Sequence, residues 1–249
     1  MSQPFSDSEP GPFQKKGFLI SAVFLVAVIL VGAVVIFTGR DGGKDVSGSG
    51  GATPSKSAPA SGSASAPATG DGTCSAFPHL DTAVPKAAPD AKGQLFRTVA
   101  LPESSSAGPA VTDKDMKRCY AHSPAGALVA ATQIGARSLL ASNWDDVWER
   151  QTYGADKQGQ LDMVRKAFEK SPPGDPAPGE MGQYAGFHFI TYDNNLAVLD
   201  LLLRFQDGTL QVTPATMRWH GGDWQMEISN DSQRRNVQSQ EGFTSWGAF

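Results

Sequence analysis

Cys74 and Cys119 are the only two cysteines in this 249-residue chain, and they are the first residues to ask chemistry of. An even pair suits an oxidising compartment. A bond between them would tie together positions 45 apart and stabilise the fold by roughly 3–4 kcal/mol in the chain-entropy picture; the alternative is two unpaired thiols. The four histidines, His79, His122, His188 and His220, follow no metal-ligand spacing. His122 directly precedes Ser123, but a nucleophile and its base need spatial contact and a third orienting group. Ser123 as a helix cap with His122 in the preceding loop accounts for the same two residues. Asp145, Asp146 and Glu149 form an acidic cluster, which also suits a helix N-terminus, where negative charge is favoured. Asp200 stands between Leu199 and Leu201 in an apolar strand, where a carboxylate is costly unless paired. No catalytic, cofactor-binding or metal-ligating set follows from these residues. The Gly-rich stretch after Pro124 lacks both phosphate-loop spacings.

The elements that must position these groups read as follows. Gly93 to Pro102 is an expected strand and Glu103 to Asp113 an expected loop. Ser123-Pro124 opens a helix running to Leu140, with Ser as N-cap and Pro as the first helical residue. Gly126 and Gly135 each weaken it by about 1 kcal/mol relative to Ala, which implies a packing reason. A second helix starts at a Ser142-Asn-Trp-Asp145 capping box and turns Trp144, Val147, Trp148 and Gln151 to one face. A third covers Gly159 to Lys170 and ends at the proline-rich Ser171–Gly179 stretch. From Gln183 the period changes to two. Strands are expected at 183–192, 196–205, 209–219 and 224–229, joined by turns at Asp193-Asn-Asn195, Asp207-Gly208 and Gly221-Gly-Asp223. Pro214 requires an edge or a bulge in the third of them. Helices followed by a hairpin-linked meander predict an α+β fold, about three helices packed on an antiparallel sheet.

Upstream of all this, the 23 residues from Gly17 to Gly39 carry no charge. As a helix they span roughly 34 Å, enough to cross a hydrocarbon core of about 30 Å. A cleaved signal peptide has a shorter apolar core and a small-residue cleavage site. From Ser47 to Gly70 every residue except Lys56 is Gly, Ser, Ala, Pro or Thr. Such a segment cannot bury enough apolar surface to offset its ordering entropy, and as a coil from Thr38 to Thr73 it reaches about 33 Å; an O-glycosylated stalk is the other reading of this composition. The expected organisation is a cytoplasmic tail (residues 1–16), a transmembrane helix (17–39), a disordered tether (40–73) and an extracytoplasmic domain (74–249). Lysines and arginines tie across the membrane segment, with Lys15-Lys16 before it and Arg40 and Lys44 after it. The short tail and the cysteine pair place the N-terminus inside and the domain outside.

From Asp71 onward, 16 Lys and Arg face 21 Asp and Glu, a net charge of −5 without a basic cluster. Direct nucleic-acid binding is not expected of such a surface.

Three pieces then resemble a family: Leu101-Pro-Glu…Gly108-Pro109, Tyr120-Ala-His-Ser-Pro-Ala-Gly-Ala-Leu-Val-Ala-Ala131, and Trp219-His-Gly-Gly-Asp-Trp224. They look like membrane-anchored proteins of actinobacterial conjugative and integrative elements, with an NTF2-like (cystatin-like) domain. The resemblance implies a cone of helices on a curved sheet and carries over no catalytic residue. The expected function is a non-enzymatic, membrane-tethered scaffold of a cell-envelope assembly, such as a conjugative transfer or secretion apparatus, with envelope proteins or a second copy as partner. The alternative is a small-ligand-binding domain, or an NTF2-like enzyme using the concave sheet face through Asp200.

Overall fold

The computed structural model describes Cys74, Phe77 and residues 82–247. The expected tail, membrane helix and tether lie outside the described residues; among those described, no helix is long and apolar enough to cross a membrane.

The N-terminal part is two small hairpins. β1 (Lys92–Phe96) and β2 (Val99–Glu103) pair antiparallel, with Phe96 opposite Val99. The single strand expected over 93–102 is therefore corrected. Arg97 adopts φ 55°, and a two-residue turn at Arg97-Thr98 folds the segment back on itself. β3 (Val111–Asp113) and β4 (Met116–Arg118) form the second hairpin, so the expected loop over 103–113 contains strand at both its ends.

α1 (Pro124–Leu140) starts at the expected cap: Ser123 Oγ accepts the Gly126 N–H at 3.1 Å. It is buried on nearly every side, which explains its small residues. The main sheet lies against one side and the hairpins against the other. Its two long polar side chains, Gln133 and Arg137, are one turn apart. Gln133 Nε2 donates to Pro102 O at 2.8 Å. Arg137 Nε donates to Gln133 Oε1 at 2.7 Å, and its guanidinium lies 4.0 Å from the Phe96 ring centroid. Every one of these contacts goes to the hairpin layer or to the helix itself, and no carboxylate among the described residues forms an ion pair with the charged head.

α2 (Trp144–Gln151) follows, but the expected capping box does not form. Asn143 is the N-cap without a side-chain cap bond, because its Nδ2 goes to Asp113 O and Asp146 Oδ2, and the Ser142 N–H goes to Asp115 Oδ2. Trp148 is buried, with its indole N–H on Ser138 O at 3.0 Å. Trp144 is half-buried and meets Phe168 edge-on at 4.7 Å. After β5 (Thr152–Tyr153), α3 (Lys157–Lys170) begins two residues earlier than expected, and only Leu161 in it is fully buried.

The meander is β6 (Gln183–Asp193), β7 (Leu196–Arg204), β8 (Leu210–His220) and β9 (Asp223–Glu227), all antiparallel. Three short strands complete the sheet: β5 pairs β9 in parallel, β10 (Arg235–Val237) pairs β8, and β11 (Thr244–Ser245) pairs β6. These three were not expected, and β5 makes the sheet mostly rather than wholly antiparallel. β9 pairs β8 over Met217–His220 and β10 pairs it over Leu210–Val212. Pro214 falls in the interval between them, where β8 has no partner on that side, which satisfies the edge that a missing N–H demands.

Cross-strand register sorts the two sheet faces. Ala197, Leu199 and Leu201 of β7, with Met217, Trp224 and Phe187, face α1 in the main core. Leu202, Leu210 and Val212 face the other way and are covered by Val237 and Phe243. Since β10 and β11 lie on opposite edges of the β6–β8 set, the chain between them crosses this outer face as a strap. The fold is thus three layers, hairpins, α1 and sheet, with a strap behind.

Candidate functional site

The segment entering α1 and the turn between β8 and β9 are about one hundred residues apart, yet they clasp each other. Cys119 has φ 64°, a left-handed residue that turns successive N–H groups to one side. Asp223 fills that concavity. Its Oδ2 accepts the Cys119 N–H at 2.8 Å, and its Oδ1 accepts those of Tyr120 and Trp224, both at 3.0 Å. The Trp224 indole N–H reaches back to Ala121 O at 2.9 Å. His122 stacks on Trp219 with ring centroids 4.0 Å apart and planes 7° off parallel, and its Nε2 meets the Asn194 carbonyl. Trp219 and Trp224 meet edge-on at 5.4 Å.

Glycines make this approach possible. A Cβ on Gly126 would overlap the Ala121 carbonyl, and one on Gly108 would stand 2.9 Å from Cys119 O. Gly221 and Gly222 have φ 62° and 87°, the two positive values that a two-residue hairpin turn between His220 and Asp223 requires. Pieces of all three motifs quoted above (Gly108, Tyr120–Gly126 and Trp219–Trp224) therefore meet at one place. Their shared residues build a junction rather than a catalytic centre.

Cys74 joins the same junction through a disulfide to Cys119, with Cα atoms 4.8 Å apart. Both sulfurs and a carboxylate oxygen of Asp223 lie within 4.8 Å of one another, a donor set that reduction would turn towards a metal. In the disulfide the sulfurs carry no thiolate to hold one. Burial pushes the Asp223 carboxyl above its ordinary value, opposed by the N–H groups of Tyr120, Cys119 and Trp224. Burial also raises the Tyr120 phenol well above its usual range, with the Asp223 charge adding to it; its O–H donates to Lys117 O at 3.0 Å.

The other sequence candidates fall elsewhere. Ser123 Oγ is taken by the α1 cap while His122 faces Trp219 and Asn194, so the two are not aimed at each other. Glu149 pairs with Arg165 of α3 at 2.9 Å, and Asp145 and Asp146 are exposed in the first turn of α2, as a solvated helix start would have them. His79 lies outside the described residues; His188 and His220 are exposed. Asp200 is buried on the outer sheet face, away from α1, and Arg235 of β10 binds its Oδ2 at 2.7 Å. Its Oδ1 is buried without a hydrogen-bond partner among the described residues. An open hollow of about 530 Å³ lies between α2 and α3, lined by Trp144, Arg165, Phe168, Pro172 and Pro173, remote from Asp200 in the sequence and on other elements. The sequence marks Asp223 only as a turn residue, although an acid directly after two consecutive glycines, in a turn flanked by two tryptophans, is an unusual pattern.

The class this geometry defines is an α+β domain whose leading edge is sealed by a disulfide-bonded clasp. Residues 54–245 match the model of a family described as a domain of unknown function, DUF8175, and the chain belongs to that family. No curated protein and no solved structure matches it.

Proposed function

We propose that this protein is a single-pass, membrane-tethered interaction module of the cell envelope, with its N-terminus inside and an NTF2-like domain outside. It acts by holding partners and not by catalysis. The observation that carries this reading is the clasp. The residue that ends the inert tether, Cys74, is bonded covalently to the segment that enters the central helix. A tether fixed at a rigid point lets the domain search the membrane surface for partners within its reach of about 33 Å. The acid and base candidates support it too, since Asp223, Asp200 and His122 are each engaged by structural partners. The resemblance to proteins of conjugative and integrative elements makes a DNA-transfer or secretion assembly the expected setting, with envelope proteins or a second copy as partner.

Crosslinking from the native membrane, followed by deletion of residues 74–249, tests the proposal. Capture of envelope proteins and loss of plasmid transfer are expected. No captured partner together with unchanged transfer would overturn it. The alternative, a small-ligand site, is favoured by one observation, the aromatic hollow at Trp144 and Phe168. Saturable binding of a small molecule there, lost in Trp144→Ala, would support that alternative.

A further inference from the structure

We infer that Cys74, Cys119 and Asp223 form a redox-gated metal site, closed while the disulfide stands and open, once a dithiol has reduced it, to one thiophilic divalent cation such as zinc. The donors come from three separate parts of the chain: the segment ahead of the hairpins, the entrance of α1 and the turn between β8 and β9. Both sulfurs and one carboxylate oxygen lie within 4.8 Å of one another. With bonds of about 2.3 Å to sulfur and 2.1 Å to oxygen, the edges of a tetrahedral zinc site measure roughly 3.6–3.8 Å. Side-chain rotation after the bond opens is enough to reach that geometry, since the Cα atoms of the two cysteines already stand 4.8 Å apart.

Asp223 is the donor that the fold holds in place. The N–H groups of Cys119, Tyr120 and Trp224 orient its carboxylate, and Oδ2 accepts only the first of them, so it keeps capacity for a cation. Cys119 is buried whereas Cys74 is half-buried, so an incoming dithiol attacks the Cys74 sulfur. The S–S bond breaks, Cys119 leaves as a thiolate and a mixed disulfide forms on Cys74. The second thiol of the dithiol then displaces Cys74. The dithiol ends as its own disulfide, its two electrons stay on the two cysteines, and its two protons go to solvent as the cation takes both thiolates. Arg118 is the cation whose charge acts on Asp223. Two thiolates and a carboxylate beside it leave two negative charges unmatched in a partly buried place, the complement of one divalent ion. Two sulfurs and an oxygen suit zinc or cobalt(II), whereas magnesium and calcium take oxygen donors. The fourth position is left to water. The site needs no membrane, so it stands or falls apart from the tethered reading above.

The test uses the full chain in detergent micelles, reduced with a phosphine, freed of it without oxygen, and titrated with cobalt(II) and then zinc. The chain has only two cysteines, so a thiolate-to-cobalt charge-transfer band reports this site alone. One equivalent of cobalt(II) is expected to give that band together with the visible bands of tetrahedral cobalt. One equivalent of zinc should abolish them, excess magnesium should leave them, and the oxidised protein should show none. In reduced Asp223→Asn the affinity should fall at least about tenfold, the scale seen even for groups that only support a ligand. Near-ultraviolet ellipticity checks that each protein is folded. Should that variant not fold, Cys74→Ser keeps the Asp223 clasp and should show the same fall in affinity with a weakened charge-transfer band. No band in the reduced wild type, one ion per two chains, or an affinity unchanged in either variant overturns the inference. So does a reduced protein whose near-ultraviolet ellipticity is lost and not restored by zinc.

Discussion

The Asp223 carboxylate accepts the backbone N–H of Cys119 at 2.8 Å across 104 residues of sequence. One side chain thereby holds the turn of the last long hairpin against the entrance of the central helix. It does so at the residue whose sulfur is bonded to Cys74.

Removing that carboxylate leaves three backbone donors, those of Cys119, Tyr120 and Trp224, to find other partners. Asp223→Ala should cost about 3 kcal/mol in denaturant unfolding. Asp223→Asn should cost about 1–2 kcal/mol, because its amide NH2 opposes one N–H. A loss below about 0.5 kcal/mol for both variants would mean that the clasp is not a stabilising element.

The same carboxyl predicts a pH dependence. Burial raises its folded pKa above the ordinary 3.8. The folded state therefore holds this proton to higher pH than the unfolded chain does. The stability this group contributes is full below about pH 4 and is lost as pH rises through the raised value. Unfolding free energies of the wild type and of Asp223→Asn, followed upward from about pH 4, should draw closer without meeting, because the hydrogen-bond difference remains. Parallel curves would contradict the assignment.

The two glycines of α1 should behave oppositely. Gly126→Ala places a methyl group into the Ala121 carbonyl and should destabilise by several kcal/mol, about the scale of an overpacked core. Gly135→Ala meets nothing closer than 3.6 Å, an ordinary contact, and should stabilise by about 0.5–1 kcal/mol through helix propensity. Thermal unfolding of the two variants separates these outcomes, and a destabilised Gly135→Ala would show that the helix needs glycine there.

Tyr120, Tyr153 and Tyr184 should resist ionisation. Burial pushes Tyr153 up to about 12, assisted by Glu227 and opposed by Arg218, and raises Tyr120 and Tyr184 as well. Folded pKa values above the unfolded one give stability that is full below pH 10 and lost as pH rises through the folded values. Phenolate absorbance should therefore rise late, together with the loss of near-ultraviolet ellipticity. Three tyrosines titrating near pH 10 in a folded protein would refute the burial.

Asp200 and Arg235 test whether the outer-face carboxylate serves structure. Arg235→Ala leaves Asp200 buried and unpaired and should cost roughly 2–3 kcal/mol, discounted for the half-exposed guanidinium. Asp200→Asn should cost less, because the neutral amide removes the unpaired charge. Equal losses in the two variants would remove the case for pairing.

Local signals in the sequence settled the elements whose cause lies within a few residues. Ser123-Pro124 starts α1 because a hydroxyl and a donor-free ring suit a helix's first turn, wherever the helix goes. The turns at Asp193, Asp207-Gly208 and Gly221-Gly222 set the meander, and period-two alternation placed β6 to β9 within two residues of their ends. The pairing of Cys74 with Cys119 followed from there being no other cysteine. Tertiary structure alone decided the rest. β5, β10 and β11 are two or three residues long and are strands only because a sheet edge offers them partners. The stretch 93–102 alternates like one strand, yet it folds into a hairpin that packs on α1. The Ser142 capping box does not form, because the helix starts one residue later at Asn143, whose amide bonds Asp113 O and Asp146 Oδ2 instead. Asp223 looks like an ordinary turn acid until the chain brings Cys119 and Tyr120 to it. A carboxylate's partners one hundred residues away leave no periodic trace beside it, since hydrogen bonding depends on position in space and sequence pattern records only neighbours along the chain.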